Sequence, residues 1–366
     1  VTSSQPIRLI VLFGGQSAEH DVSCTTAAHV LAAADPDRYD IHPVGITKEG
    51  RFVTAADATA LLPADRAPEA PIEPLRPEGP GTELIATVEA TPPDQHTVVL
   101  PLLHGPLGED GTVQGLCELA NVPYVGAGVL GSAVAMDKAM AKTVLDAAGL
   151  PQARWLSFTE SEVAADQAGV VKTIVAELGL PCFVKPANMG SSVGVGKAKT
   201  EDDVARALAT AFVYDEIVVV EEAITAREIE LSVLGNHQLE VSVPGEIVPG
   251  AEFYDYNDKY HDGTAELIIP ARLPDGVTEQ LQQLAIEAYR ALRVEGMARA
   301  DFLYEEGGRG PLINELNTIP GFTPISMYPK LWEASGLSYS DLIDRLVDLA
   351  IERHGRRVVK RTTDRA

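Results

Sequence analysis

The chain has 366 residues, enough for two or three domains with cores of their own. Its 29 Lys and Arg stand against 53 Asp and Glu, a net charge of −24, which argues against nucleic acid or an anionic membrane as a partner; any anionic ligand needs a local basic pocket. A hydrophobic content of 45% beside 22% charged residues excludes disorder for most of the chain.

The apolar run 7–13 ends at Gly14-Gly15. It is too short to cross a bilayer and lacks the charged start and cleavage site of a signal peptide. Cys24, Cys117 and Cys182 form no C-x-x-C pair and fit a reducing cytosol. No export, no membrane span and a cytoplasmic location are therefore expected. A helix over 19–34 completes a strand, glycine turn and helix, the opening of a parallel α/β unit. A second apolar run, 97–103, leads into HGPLGEDG (104–111), a helix from near Val113 and a short strand at 123–125. The Pro/Glu-rich stretch 63–93 reads as a loop, so the N-terminal part is an open α/β domain. Gly126, Gly128 and Gly131 match G-x-G-x-x-G. The only acid near the required spacing, Asp146, falls inside the following helix, which argues against a dinucleotide site.

Further on, a helix is expected over 132–149, then strand 182–185 and the loop GSSVGVG at 190–196. Thr200 caps an amphipathic helix that buries Val204, Ala207, Leu208, Ala211 and Phe212. Strands at 217–222 and 229–234 follow, then a polar, tyrosine-bearing stretch, 252–266, between two strands. Helix 277–293, strands 297–304 and 312–317, the loop TIPGFTPIS and a helix over 339–353 complete the chain. Arg356, Arg357, Lys360 and Arg361 read as a solvated tail, and no internal repeat is present.

Three constellations carry chemistry. Lys185 ends a strand and precedes a loop of small residues with Ser191 and Ser192; one positive charge and unhindered backbone N–H groups suit a polyphosphate, although a plain hairpin also accounts for the glycines. Walker A spacing is absent. In MARADFLY and LINELN the period of two places Arg299 with Asp301 on one strand face, and Glu315 with Asn317 on another. If the strands are neighbours, these hard oxygen donors suit Mg²⁺ ions that keep water and phosphate oxygens; a solvated edge hairpin is the alternative. Apolar Phe302, Leu303, Leu312 and Ile313 favour a covered sheet, where unpaired acids are costly. Glu19 at a helix start and His104 in its loop are weak signals alone.

Taken together, GGQSAEHDVS (14–23), HGPLGEDGTVQG (104–115), MDKAMAK (136–142), VKPANMGSSVGV (184–195), VEEAITAREIE (220–230), YDYNDKY (254–260), ARADF (298–302) and NELNTIPGFT (314–323) resemble D-alanine–D-alanine ligases of the ATP-grasp superfamily. The resemblance implies an α/β fold in three parts. These are an N-terminal domain (1–131) binding the first D-alanine, a central subdomain (132–235) with the phosphate loop, and a C-terminal subdomain (236–366) with lid, metal ligands and oxyanion site. It further implies ligation of two D-alanine molecules at the expense of ATP, through an acyl phosphate, for peptidoglycan precursors. Two Mg²⁺ or Mn²⁺ ions on Asp301, Glu315 and Asn317 are implied, as is a homodimer.

By the same resemblance Lys142 and Lys185 contact phosphates and the 190–195 loop, with Ser191 and Ser192, closes over them. Glu221, Glu222, Ile224 and Glu228 match the hinge and ribose positions of the nucleotide site, with Phe253 near the adenine and Lys259 also in that site; at Glu222, often lysine in relatives, only the backbone contact to adenine carries over. Glu19, assisted by His104, receives the first substrate's ammonium. Tyr260 pairs with Ser191 to tie the 252–266 lid over the site. Arg299 and the Gly321 N–H donate to the oxyanion, and Ser326 holds the second carboxylate. The base for the second amine stays open between a Tyr260–Ser191 relay and binding of the neutral amine. A D-alanine–D-lactate ligase, against which Tyr260 speaks, or a D-serine ligase is the close alternative; a non-catalytic ATP-binding module is the remoter one.

Overall fold

The computed structural model describes residues 5–55, 73–90, 95–248 and 266–360. It opens with β1 (Ile7–Gly14), α1 (His20–Ala33), β2 (Tyr39–Ile46), β3 (Phe52–Thr54), α2 (Leu84–Glu89), β4 (Thr97–Pro101) and α3 (Thr112–Leu119). β1 is buried from Arg8 to Gly14, as a parallel strand covered on both faces must be. β2 and β4 flank it in parallel, and β3 closes the edge antiparallel to β2. The open parallel α/β sheet is therefore as expected. The strand expected at 123–125 shrinks to one bridge between Tyr124 and Val99, beside Pro123, which has no N–H to give. Within the stretch read as loop, α2 forms and buries Leu84.

The second part holds α4 (Val129–Met136), α5 (Lys138–Ala147), β5 (Trp155–Thr159), α6 (Glu160–Ala165), α7 (Gln167–Leu178), β6 (Cys182–Pro186), β7 (Gly196–Ala198), α8 (Glu201–Ala211) and β8 (Ile217–Glu222). The single helix expected over 132–149 is two. Asp137, at φ −78 and ψ 103, interrupts it and caps α5 through Met140 N–H. The sheet runs β5-β8-β6-β7, all antiparallel, with α7 and α8 packed on it through Ile174, Val204 and Leu208. Thr200 caps α8 as expected; Phe212 lies just past its end and is only half-buried.

The third part holds β9 (Arg227–Gly235), β10 (Leu239–Val241), β11 (Gly245–Val248), β12 (Glu266–Ile268), α9 (Val277–Ala291), β13 (Gly296–Glu305), β14 (Gly310–Asn317), α10 (Met327–Ala334) and α11 (Tyr339–Val358). Its antiparallel sheet runs β12-β11-β9-β13-β14, with β10 also on β9. Along β13, Ala298, Ala300, Phe302 and Tyr304 enter the core with Leu281 and Ala285 of α9. Arg299 and Asp301 take the opposite face, as the period of two requires.

On β14 a register shift opposite Asp301/Phe302 leaves Asn314 without a partner on β13. Ile313 and Glu315 have the same parity, yet Ile313 is in the core and Glu315 is not. The bulge reverses the faces between them.

Helix α11 runs past the expected 353, so Arg356 and Arg357 are not a loose tail. Arg357 pairs with Glu118 at 2.6 Å and Glu295 at 2.8 Å, and Arg356 with Glu295 at 2.8 Å; Arg361 lies outside the described residues. Leu342, Leu346 and Val347 of α11 share one core with β1, α1 and β4. The last helix therefore seals the first sheet.

Candidate active site

A cleft of about 1520 Å³ is lined by β6, β8, β9, β13 and β14, by Glu19 and the His104 loop, and by the turn after β14. At one end Glu221 of β8 accepts from Lys185 of β6 at 2.6 Å and lies 2.9 Å from the Lys142 ammonium of α5. Burial pushes the Glu221 carboxyl up, but the two ammonium groups outweigh it and hold it at about 2. The site thus keeps both cations in place around one buried carboxylate.

The loop expected to cradle phosphate leaves β6 beside them. Ser191 (φ +46) and Ser192 (φ +58) are left-handed non-glycine residues, a conformation that costs about 1–3 kcal/mol and persists where neighbours enforce it. The break between α4 and α5 supplies neighbours to the stem. Lys138 Nζ donates to Met189 O at 2.6 Å, Lys138 N–H to Ala187 O at 3.0 Å, and Asn188 Nδ2 to Asp137 at 3.3 Å. The Lys138 ammonium also lies 3.7 Å from Glu315. Sequence reading missed Lys138, although its four-residue spacing from Lys142 puts both on one helix face.

Glu19 occupies the N-cap of α1 without capping it; the shorter Ser, Thr, Asp and Asn side chains are the usual caps there. Its carboxylate instead accepts from Ser191 Oγ at 2.5 Å. Backbone crowds it closely: a Cβ on Gly190 would stand 3.0 Å from Glu19 Oε2. His104 Nδ1 donates to Ile319 O at 3.2 Å. Burial pushes its imidazole pKa down, against the pull of Glu19, so the ring is neutral and Nε2 is an acceptor. That buried Nε2 has no hydrogen-bond partner among the described residues.

Glu109, also missed, lines the same end. Its carboxyl accepts from Gly105 N–H at 2.7 Å, yet burial and the nearby Glu19 push its pKa up to about 8. Two carboxyls share this pocket, which favours the protonated form of Glu109.

At the far wall Glu230, Asp301 and Glu315 stand in one row across β9, β13 and β14. Arg299 forks onto both Asp301 oxygens at 2.7 Å and lies 3.0 Å from Glu230. Asn317 Nδ2 donates to Asp301 Oδ2 at 2.9 Å, leaving its carbonyl oxygen as an acceptor. Among the described residues no group of three or more His, Cys, Asp or Glu is placed to hold a metal ion by itself. An open set of two carboxylates and an amide fits Mg²⁺, which keeps waters and phosphate oxygens. Glu230 shares a strand face with Glu228, and that period-two signal could have found it.

Gly321 and Ser326 meet after β14: a Cβ on Gly321 would lie 3.1 Å from Ser326 Oγ. Ser326 does not cap α10 with its side chain; its hydroxyl pairs with Thr323 Oγ1 at 2.8 Å. Glu222, Ile224 and Glu228 line the cleft along β8 and β9. Phe253, Lys259 and Tyr260, and with them the expected tie of Tyr260 to Ser191, lie outside the described residues.

A family model for the D-ala D-ala ligase N-terminus matches residues 8–127, and one for the D-ala D-ala ligase C-terminus matches residues 144–348. The D-alanine–D-alanine ligase of Geobacillus thermodenitrificans is 48% identical over 357 residues, 95% of this chain and 96% of the relative. The solved D-alanine–D-alanine ligase of Coxiella burnetii is similar at TM-score 0.80 and 36% identity, over 97% of each chain. That of Bacillus anthracis, complexed with ATP, is similar at TM-score 0.74 and 27% identity, over 96% of this chain and 99% of that one.

Proposed function

The chain belongs to the D-alanine–D-alanine ligase family, and from that premise we propose how its own residues join two D-alanine molecules at the expense of ATP, on an ATP-grasp fold, for peptidoglycan precursors. The observation that carries the reading is the convergence on one cleft of Lys185 and Glu221, with Lys142 buried behind Glu221, of the Glu19–Ser191 pair and of the Arg299–Asp301–Asn317 group.

The first D-alanine offers its ammonium to Glu19 and to the unpartnered Nε2 of His104. Its carboxylate oxygen bonds the γ-phosphorus of ATP as the bond to the β-phosphate oxygen breaks, giving an acyl phosphate and ADP. Phosphoryl transfer asks chiefly for positioning and neutralised charge, which Lys142, Lys185 and the N–H groups of 190–195 provide. Asp301, Glu315 and Asn317 would hold magnesium or manganese, which when bound neutralises phosphate charge.

The second D-alanine, its carboxylate on Ser326, attacks the acyl carbon with its neutral amine. Arg299 and the Gly321 N–H donate to the oxygen that becomes negative, phosphate departs with its bonding electrons, and the proton that the nitrogen gives up is taken by the departing phosphate.

Among the described residues no helix is long and apolar enough to cross a membrane, and the three cysteines are free and buried. The cytoplasmic location and the homodimer rest on the resemblance. The test is incubation with ATP, Mg²⁺ and D-alanine. ADP, phosphate and D-alanyl-D-alanine are expected in equal amounts, with neither L-alanine nor D-lactate replacing D-alanine at comparable rates. Equal use of D-lactate as second substrate, or ADP release without dipeptide, would contradict it.

A further inference from the structure

Glu221 and Glu222 end β8 side by side and face opposite ways. Glu221 is held by the two lysines of the cleft, and Glu222 by two arginines from different parts of the molecule. Arg154, just before β5, donates to Glu222 from its backbone N–H at 2.8 Å and from Nε at 2.9 Å. Its guanidinium also reaches Glu177 O and Leu178 O at the end of α7. That side of the contact lies within the sheet that carries Lys185.

The other side comes from the sheet that carries Asp301. Arg309, in the turn between β13 and β14, donates from Nη1 to Glu222 Oε1 at 2.6 Å, while Glu305 Oε2 accepts from its Nε at 2.7 Å. The turn is built on left-handed Gly307 and Gly310, so the hairpin that carries Asp301 and Glu315 presents this arginine from a tight, paired tip. The Glu222 side chain is 11% exposed and that of Arg309 42%, so the contact is shielded from solvent on its carboxylate side and open on the guanidinium side. The hairpin is held a second time where Ile313 N–H donates to Pro151 O, in the segment that leads into β5, at 2.8 Å. One contact leaves a hinge free to turn; two fix its angle.

We infer that Arg309 is a positioning residue for the nucleotide: by clamping the Glu222 carboxylate it ties the metal-bearing hairpin to the adenine end of the cleft. The inference rests on the reading above that Glu222 marks that end. It gives the Glu222 side chain a role that a lysine there could not play toward Arg309. A ligand that engages both ends at once gains from a fixed spacing, as two linked binding events do. A ligand that engages only the phosphate end gains nothing.

The experiment compares equilibrium binding of ATP and of inorganic tripolyphosphate, each with Mg²⁺, to the full chain and to Arg309→Gln and Arg309→Lys. The glutamine variant should bind ATP about fivefold more weakly, the low end of couplings between linked sites, with tripolyphosphate binding and melting temperature unchanged. Lysine, which can still reach one carboxylate oxygen, should restore part of the loss. Unchanged ATP binding would overturn the inference, and so would equal weakening of both ligands. Dipeptide formation by the unaltered protein is scored separately; its absence would count against the assigned reaction and leave the binding comparison to judge the clamp.

Discussion

Replacing Arg299 by lysine is expected to lower kcat by about 10²–10³-fold, the usual consequence of losing one donor to a developing oxyanion. Arginine presents a rigid fork, and here that fork spans Asp301 and reaches Glu230. Lysine keeps the charge and loses the geometry. With one positive charge still beside Asp301 and Glu230, Arg299→Lys should fold. Arg299→Ala should not fold as well, because it strands buried carboxylates at a cost of about 3–5 kcal/mol. Steady-state kinetics beside thermal unfolding separate the two effects. Wild-type turnover in the lysine variant would remove Arg299 from the chemistry.

Glu221→Gln should destabilise the nucleotide-free protein by a comparable amount, about 3–5 kcal/mol. It leaves the Lys142 and Lys185 ammonium groups facing one another without the carboxylate between them. MgATP supplies the missing negative charge, so the gap in melting temperature between variant and wild type should narrow as the nucleotide is added. The pH dependence has a definite sign. Glu221 is held at about 2, below its ordinary 4.5. Its contribution is therefore complete above about pH 4.5 and is lost as pH falls through about 2. Wild-type stability should fall across that window more steeply than that of the glutamine variant. Parallel curves, or a gap that MgATP leaves untouched, would contradict the account.

The sequence made local periodicity legible and left long-range pairing hidden. β1 was readable because a strand buried on both faces is continuously apolar, and the Arg299/Asp301 face followed from a period of two. β2 was missed because His42 and Pro43 interrupt its apolar pattern; Pro43 nonetheless takes its place opposite Val11.

The helix expected over 132–149 failed at Asp137 for a different reason. Its apolar periodicity continues through the break, while what makes the break useful, Ala187, Asn188 and Met189, lies some fifty residues on. Glu109 and Lys138 are single charges whose meaning depends on Glu19, Met189 and Glu315, and no local spacing announces those neighbours. The bulge at Asn314 was equally invisible, yet it lets Ile313 enter the core while Glu315 faces the cleft.

The most direct test of the central claim is the position of manganese, located by its anomalous scattering in crystals grown with Mn²⁺ and ADP. The account predicts metal bound by Asp301, Glu315 and Asn317, with the phosphates reaching back to Lys142 and Lys185. Metal elsewhere, or phosphates bound away from those two lysines, would contradict it.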